Sequence, residues 1–484
     1  MIEKLVQRYK AVPIPVRASM WFAGCSFLQR GISMITTPIF TRLLSSADYG
    51  RIGVFNSWMS ILSVFVTLNL SAGIFMQGLV KFSAERERFS SAMYGLCTTV
   101  TAVWLVVYLL FQDLWNELFS LTAVQMLGML LLIWCSAMAS FWSMQQRIDF
   151  HYRKLVLLSV LVSVANPIVG IVLVLHAEDK AMARILGIVL VEALAYSWTF
   201  FAQMRRDHTF FSGSIWRYAL RFNIPLIPHY LASAVLSGAD RIMIEDLVGS
   251  SEAGIYNLAY SVSLIMTIFN SAMLQTIEPW LYRKIGSRKT EDIPSVAYPC
   301  FVGIALVNVF LIALAPEIVA VFAPPAYHDA IWVIPPVAMS VYFTFSYSFF
   351  AVFEFYYEKT FYIALSTVGG AVLNVALNAV FIRIYGYYAA GYTTLICYMV
   401  YAVLHFACMH RLCRKKLGIT KLYDMRILLT ITFGFMAAGF ALLSTYRTPA
   451  IRYALIAGLM IALFMMRGQI LDRTKRLLQL KKSD

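Results

Sequence analysis

The chain has 484 residues, of which 60% are hydrophobic and 13% are charged. A soluble domain carries about 25% charged residues, so a water-soluble globular protein is excluded. At about 20 apolar residues per membrane span, this composition supplies about fourteen spans and leaves little for a soluble domain. The net charge of +15 fits nucleic acid, anionic lipid or membrane topology signals, and the positions of the basic residues decide among them.

Nearly uncharged segments recur along the chain with short polar interruptions. Twelve of them lie at 18–41, 52–80, 89–112, 118–146, 155–177, 185–204, 222–247, 253–282, 293–316, 330–353, 360–382 and 384–410. Two more, at 427–446 and 453–466, follow a further basic segment. We therefore predict an all-α integral membrane protein with about fourteen transmembrane helices.

Lysine and arginine concentrate in alternate connections between these segments. If the N-terminus is inside, 31 of the 40 basic residues lie in inner connections and tails, and 7 lie in outer ones. Because cytoplasmic loops carry the basic excess, both termini are predicted to be cytoplasmic. The positive charge is then mainly a topology signal, and nucleic acid is not an expected partner.

The polar connections between the segments offer few candidate residues for catalysis or metal binding. No outer connection is long or contains a cluster of His, Cys or carboxylate residues suited to a metal or a catalytic site. The seven cysteines form no CxxC pair and lie mostly in apolar segments. We expect no metal, no cofactor and no enzyme activity.

A short pattern recurs at the exits of the first and seventh segments. Ser45-Ser46-Ala47-Asp48-Tyr49-Gly50 is matched 204 residues later by Gly249-Ser250-Ser251-Glu252-Ala253-Gly254, and a Ser cap with a following acidic residue suits a helix start. Six spans per repeat predict two parallel lobes rather than inverted ones. The predicted domains are 1–213 and 214–418, each with six helices, and 419–484 with helices 13 and 14 and a basic cytoplasmic tail.

Several motifs resemble those of a known transporter family. The stretch from Arg30 through Thr41-Arg42-Leu43-Leu44-Ser45 to Tyr49-Gly50 resembles the first-helix signature of polysaccharide (O-antigen, Wzx-like) flippases of the MOP superfamily of multidrug, oligosaccharidyl-lipid and polysaccharide exporters. Further matches follow in family order, at Pro225, Asp240-Arg241, Gly249, Gly254, Tyr256, Ala315-Pro316-Glu317-Ile318-Val319, Tyr327, Asn374, Asn378, Tyr385-Gly386 and Gly391.

The resemblance implies two six-helix lobes that form a V-shaped central cavity, with two appended C-terminal helices. It implies a bacterial inner-membrane flippase that moves a polyprenyl-pyrophosphate-linked oligosaccharide from the cytoplasmic to the outer leaflet by alternating access. Expected partners are this lipid-linked substrate, membrane lipids, H⁺ or Na⁺ as a coupling ion, and polysaccharide assembly proteins.

Charges within the spans are the first candidate site residues, because a charge at the bilayer centre usually faces a cavity or a partner. Arg30 lies mid-span and would bind a pyrophosphate through paired hydrogen bonds, or would instead pair with Glu192 or Asp240. Arg241 is a second phosphate ligand or a guanidinium that reaches the outer interface. Because Asp240 and Arg241 are about 100° apart on a helix, only one can face the cavity centre.

The remaining candidates have weaker assignments. Glu192 and Asp240 are candidates for ion coupling or for an ion pair, and Asn374 and Asn378 share a helical face that would either bind sugar hydroxyls or join helices. Glu354 lies near an inner helix end and is expected at a solvated inner gate or in a link to the basic inner loops. His405 is expected to be a hydrogen-bonded packing residue.

Two other functions remain open at this point. A small-molecule or drug extruder of the same superfamily would be favoured by twelve spans without the terminal pair and by a cavity rich in carboxylates, whereas Arg30 and the appended spans argue against it. A membrane-embedded polysaccharide polymerase or ligase would need a sizeable outer loop with acid, base or arginine residues, which this chain lacks.

Overall fold

The computed structural model describes residues 13–465 and 467–468, and within these residues the chain is almost entirely helical, with no β-strand. In chain order the helices are α1 (Ile14–Leu43), α2 (Ser46–Thr67), α3 (Ile74–Lys81), α4 (Arg86–Leu110), α5 (Gln112–Phe119), α6 (Ala123–Ile148), α7 (Tyr152–His176), α8 (Lys180–Arg206), α9 (Gly213–Asn223) and α10 (Ile227–Leu247). They continue with α11 (Ser250–Ser263), α12 (Ile265–Gly286), α13 (Ile293–Ala313), α14 (Ala315–Phe322), α15 (Ile334–Tyr356), α16 (Thr360–Tyr385), α17 (Tyr388–Leu412), α18 (Met425–Ser444) and α19 (Pro449–Met465).

The predicted all-α membrane class is confirmed, and every predicted segment coincides with one of these helices or with a pair of them. Ten helical stretches among the described residues are long and apolar enough to span a membrane. The other four predicted segments correspond to α1, α2, α10 and α19. Of these helices, α19 is shorter and the other three are more polar. The count of fourteen spans therefore stays a prediction.

The predicted segment 52–80 is not one helix but two. Leu68 and Asn69 take positive φ angles of 51° and 50°, which end α2 before α3 begins. The side chain of Asn223 donates a hydrogen bond of 2.9 Å to the Leu68 carbonyl, which satisfies one of the acceptors left open at this helix end. An apolar run does not reveal such a break.

The repeated helix-start pattern is built differently at its two sites. Ser45 and Asp48 form a reciprocal capping box at the start of α2. At the start of α11, Gly249 is the N-cap residue at φ 149°, a conformation open to glycine, and the Ser250 hydroxyl instead donates to Glu245 at 2.8 Å.

The described residues up to Ile242 form one compact unit. In it α1 packs on α7, and α8 packs on both α6 and α7. One hydrophobic cluster includes Phe55, Met129 and Ile185, and a second is built around Phe75, Phe89, Tyr94 and Phe141. The first cluster includes residues of α1 and α8, the helices that carry Arg30 and Glu192.

The described residues from Met243 onward form the other unit. Its centre is α15, in which 83% of the most apolar stretch is buried, against 17% in α7 of the first unit. Phe301 of α13 packs its ring on Phe345 and Phe349 of α15, with ring centroids 5.4 and 5.5 Å apart. The predicted domain boundary at 213/214, which rests on the repeat, stays a prediction.

Within the second unit, polar contacts hold the C-terminal part of the chain, which contains α18 and α19, to α13 and α14. Arg452 of α19 is buried and its guanidinium donates to the carboxylate of Glu317 on α14. Tyr453 donates to the same carboxylate at 2.6 Å. Tyr446 donates to the Ile312 carbonyl at 2.5 Å. Arg452, which the sequence places among the outer topology charges, thus also has a structural role.

Candidate functional site in the membrane-spanning helices

Arg30 lies near the middle of α1, 16 residues from Ile14 and 13 from Leu43, which is about 20 Å or more from either end at the rise of an α-helix. Its side chain is exposed in the structure. Within the described residues it forms no ion pair, so the predicted alternatives of a pair with Glu192 or with Asp240 are not observed. If α1 spans the membrane as predicted, a guanidinium at its middle must face an aqueous cavity or bind an anionic ligand.

The neighbouring residues Asp240 and Arg241 point in different directions, as their spacing on the helix predicts. Asp240 is buried, with 2% of its surface exposed. Arg241 is half-buried, and its guanidinium donates to the Ser57 hydroxyl of α2 and to the Ser237 carbonyl, both at 3.2 Å. Arg241 therefore joins α10 to α2.

A glycine permits this contact. A Cβ atom on Gly238 would lie 3.3 Å from the Cβ of Ser57, so the two helices meet closely one turn before Arg241. The contact places the guanidinium within reach of the serine. Ser57 of α2 thus positions Arg241, the second candidate phosphate ligand.

Glu192 lies in the middle of α8 and is half-buried. It is within electrostatic range of Tyr196 on its own helix and of Cys135 on α6. No described basic residue forms an ion pair with it. Arg30 and Glu192 are thus the two predicted charges of the first unit that lack an ion-pair partner among the described residues.

Asn374 and Asn378 of α16 are both fully buried. The Asn378 amide donates to the Asn374 oxygen at 3.3 Å, and the hydroxyl of Thr393 on α17 donates to Asn378. This arrangement matches the helix-joining alternative, because the pair links α16 to α17. A sugar would reach these side chains only if the two helices separated.

A buried pair in the second unit was missed by the sequence analysis. The Nδ1 atom of His405 on α17 lies 2.8 Å from Oε1 of Glu354 on α15, and both side chains are at most 1% exposed. The expected solvated position of Glu354 is therefore wrong, whereas His405 is hydrogen bonded as expected. The available signal was that both residues lie near the inner ends of helices predicted to run in the same direction.

Arg184 is a second residue whose role the sequence did not reveal. Its guanidinium donates to the Asn166 side chain of α7 at 2.8 Å and lies over the ring of Phe40 of α1, 4.3 Å from its centroid. It is therefore a cation–π and hydrogen-bonded link among three helices. No group of three potential metal ligands occurs within the part of the chain that the structure describes.

The helical fold resembles transporters of known structure. A multidrug resistance MATE family transporter of the MOP superfamily in its inward-facing conformation matches with a TM-score of 0.64, at 13% identity over 80% of this chain and 96% of that chain. The lipid II flippase MurJ in an inward closed conformation also matches with a TM-score of 0.64, at 14% identity over 93% of this chain and 100% of that chain. The chain is a multi-pass membrane protein whose described residues share the helical fold of these two proteins.

Sequence comparison gives the family. The family described as "Polysaccharide biosynthesis protein" matches residues 16–284, which is more than half of the chain. The protein therefore belongs to the polysaccharide biosynthesis protein family. A curated relative, "Lsg locus putative protein 1" of Haemophilus influenzae, is 24% identical over 120 residues, which span 24% of this chain and 30% of the relative. The family model thus connects the chain with polysaccharide biosynthesis, and the structural matches show which helical fold it has.

Proposed function

We propose that this protein is a flippase that moves a polyprenyl-pyrophosphate-linked oligosaccharide from the cytoplasmic to the outer leaflet of the bacterial inner membrane by alternating access. The observation that carries the proposal is Arg30, an exposed guanidinium at the middle of a long helix with no ion-pair partner among the described residues. The polysaccharide biosynthesis family and the fold shared with a lipid II flippase support it.

The chemistry of arginine fits a diphosphate headgroup. The guanidinium fork donates paired hydrogen bonds to phosphate oxygens and stays charged in an apolar environment. Transfer of a pyrophosphate into the membrane removes its water shell, and charge-assisted hydrogen bonds of this kind replace part of it. Arg30 is the residue we assign to this first contact.

The other candidates receive secondary roles. Arg241 is assigned to a second phosphate contact, which requires that it exchange its bond to Ser57 for one to the substrate. Glu192 and Asp240 remain candidates for an ion-coupling or neutralising role. Asn374 and Asn378 remain candidates for contacts with sugar hydroxyls. The basic inner connections support a topology with both termini in the cytoplasm.

Flipping in proteoliposomes tests the proposal. A fluorescent polyprenyl-pyrophosphate oligosaccharide is incorporated with the purified protein, and its appearance in the opposite leaflet is followed by chemical quenching. We expect Arg30→Ala to abolish flipping and Arg30→Lys to retain little of it, since an ammonium cannot form the bidentate fork. Arg42→Ala is the matched control, because Arg42 is exposed on the same helix and donates to the Pro38 carbonyl at 2.8 Å. Full activity of Arg30→Ala would refute the assigned role.

A small-molecule extruder is the second candidate, and one observation favours it. Glu192 is a half-buried carboxylate without an ion-pair partner among the described residues, a group that would bind a cationic compound. The same proteoliposomes decide between the two functions. Export of a lipophilic cationic dye that depends on Glu192, with no flipping of the lipid-linked oligosaccharide, would establish the extruder.

A further inference from the structure

The contact between Glu354 and His405 is unusual for a membrane protein because two ionisable side chains are withdrawn together from the surface. The carboxylate oxygen Oε1 and the imidazole Nδ1 are 2.8 Å apart, and neither side chain is more than 1% exposed. When the carboxyl group is ionised, Nδ1–H donates this hydrogen bond. Each partner keeps one buried polar atom without a hydrogen-bond partner among the described residues, Oε2 of Glu354 and Nε2 of His405.

The side chains that contact the pair are aromatic or weakly acidic, and one basic group, Arg411 of α17, lies within electrostatic range of the neighbouring Cys408 thiol. From α17, the Tyr401 ring lies 4.5 Å from the His405 ring and the Cys408 thiol lies within electrostatic range of Glu354. From α15 itself, the Tyr347 ring lies 5.5 Å from His405. The contact from α16 is indirect, through Thr367, whose hydroxyl is 2.8 Å from that of Tyr401. These groups form a dry, polarisable wall around the pair.

Charged groups on the other helices packed against α15 either bond other residues or are exposed. On α12, Lys284 bonds Asp292 at 3.0 Å and Glu278 bonds Tyr282. On α13, Cys300 lies near Tyr423, and on α18 Arg426 is exposed.

Helix α11 meets the opposite end of α15. Ser263 at the end of α11 donates to the Ile334 carbonyl, 20 residues and therefore about 30 Å before Glu354. Glu252, earlier on α11, is not a neighbour of the pair. The charge of the pair is thus set chiefly by its own protons.

We propose that Glu354 and His405 form a proton-binding site through which a proton gradient acts on transport, an inference that rests on the proposed flippase function for its link to transport. In a buried site the pair is stable with zero net charge, when the two groups together hold one proton. If the site opens to water, that proton leaves and the pair carries one negative charge. One proton is bound and one is released in each cycle, and no other reactant is needed.

The position of the pair sets the direction of access. Both residues lie towards the ends of α15 and α17 that the basic residues predict to be cytoplasmic. The proton is therefore released to the cytoplasm in this scheme. The pair also links α15 to α17, so its charge state changes how firmly these helices pack.

The first test does not depend on the substrate. Infrared difference spectra of the purified full-length protein between roughly pH 5 and pH 9 report protonation of carboxyl and imidazole groups. We expect a band in the wild-type spectrum that is lost in both Glu354→Gln and His405→Gln. Glu317→Gln is the matched control, because Glu317 is also bonded to a basic residue of the same unit, Arg452, and should leave this band intact. Spectra of the two pair variants that overlay on the wild type would overturn the proposal.

The second test links the site to transport. In proteoliposomes held at zero membrane potential, an imposed proton gradient should accelerate flipping by the wild type and by Glu317→Gln. The acceleration should be lost in Glu354→Gln and in His405→Gln, whereas flipping driven by a potential alone persists. If the wild type flips the substrate at the same rate with and without the proton gradient, proton coupling is overturned while the flippase function stands. Absence of any flipping would refute the proposed function, and the infrared result would still decide whether the proton site exists.

A charge swap covers the case in which a single variant folds poorly. The double variant Glu354→His/His405→Glu exchanges the partners and restores both the hydrogen bond and the shared proton. Recovery of the infrared band and of the gradient response is expected. A swap that folds, as judged by thermal unfolding, but lacks both signals would contradict the proposal.

Discussion

Arginines within the apolar helices differ in whether their charge is already satisfied. Arg184 and Arg452 are held by protein groups: an asparagine and an aromatic ring for the first, a glutamate for the second. Arg30 has no ion pair among the described residues and is exposed. A guanidinium in these helices that is held by protein groups has a structural role, whereas one without such partners is available to a ligand.

This distinction predicts that Arg452 contributes to stability rather than to transport. Arg452→Met should lower the free energy of unfolding by about 1–3 kcal/mol, the usual cost of leaving a hydrogen-bonding group such as Glu317 poorly satisfied. Thermal unfolding of the detergent-solubilised protein measures the loss. In the double variant with Glu317→Gln the two effects should be less than additive, and strict additivity would show that the two residues do not interact.

The sequence revealed Arg30 as a candidate because a lone charge in an apolar stretch stands out by itself. The pair of Glu354 and His405 could not be found in this way, since 51 residues separate the two and their contact depends on how α15 and α17 are aligned. The burial of Asn374 and Asn378 likewise depends on the Thr393 side chain of the next helix. The sequence therefore reveals single unusual residues such as Arg30, but it does not reveal which side chains of different helices contact each other.

Helices in this protein approach one another closely where glycine removes the side chain. At Gly95 of α4, an added Cβ would lie 2.0 Å from the backbone carbonyl oxygen of Phe210, in the connection after α8. Helix α9, which follows this connection, is also tied to α4 through Trp216, whose indole N–H donates to the Ala92 carbonyl at 2.8 Å. The basic link between the predicted lobes is therefore fixed to α4.

Gly95→Ala should therefore destabilise the first unit strongly. A backbone carbonyl cannot move aside as a flexible side chain can, and overpacking of this kind costs about 1–3 kcal/mol or more. Gly434→Ala on α18 is the control, because no atom lies within 4 Å of its added Cβ, and alanine suits a helix interior better than glycine. Thermal unfolding compares the two variants. An unchanged midpoint for Gly95→Ala would mean that the connection does not pack as described.

At the level of elements, hydrophobicity predicted where the helices lie and missed where they break. All the apolar segments coincide with helices because an apolar run of this length has no other stable state in a bilayer. The break between α2 and α3 depends on a few positive φ angles and on a hydrogen bond from Asn223, which is 155 residues away from Leu68. Short helices such as α5 and α14 are amphipathic or border Pro-containing turns and carry little periodic signal.

On the proposed function, the membrane potential favours both the outward transfer of an anionic headgroup and the inward return of the cationic empty protein. Each elementary charge gains about 2.3 kcal/mol per 100 mV, so a doubly charged pyrophosphate that leaves a negative cytoplasm gains about twice that. The return of the empty protein moves cationic Arg30 inward, which the same potential favours. On the proposed function, the potential alone drives most of the cycle and a bound proton adjusts it.

Flipping should accordingly slow when the potential is removed. In proteoliposomes with a maintained proton gradient, a potassium ionophore with equal potassium on both sides collapses the potential and is expected to reduce the flipping rate. Liposomes that contain Arg30→Ala supply the background rate. An unchanged rate in the wild type after collapse would exclude the potential as the main driving force.

The central position of α15 also constrains how the protein is made. Glu354 leaves the ribosome 51 residues before His405. At about 5–20 residues per second of synthesis, the carboxyl group waits for about 3–10 s before its partner exists. During that interval α15 also lacks the helices that cover it, α16, α17 and α18. The helix that ends up most enclosed in its unit thus completes its packing only after α17 has been made, so its biogenesis depends on the later synthesis of α17.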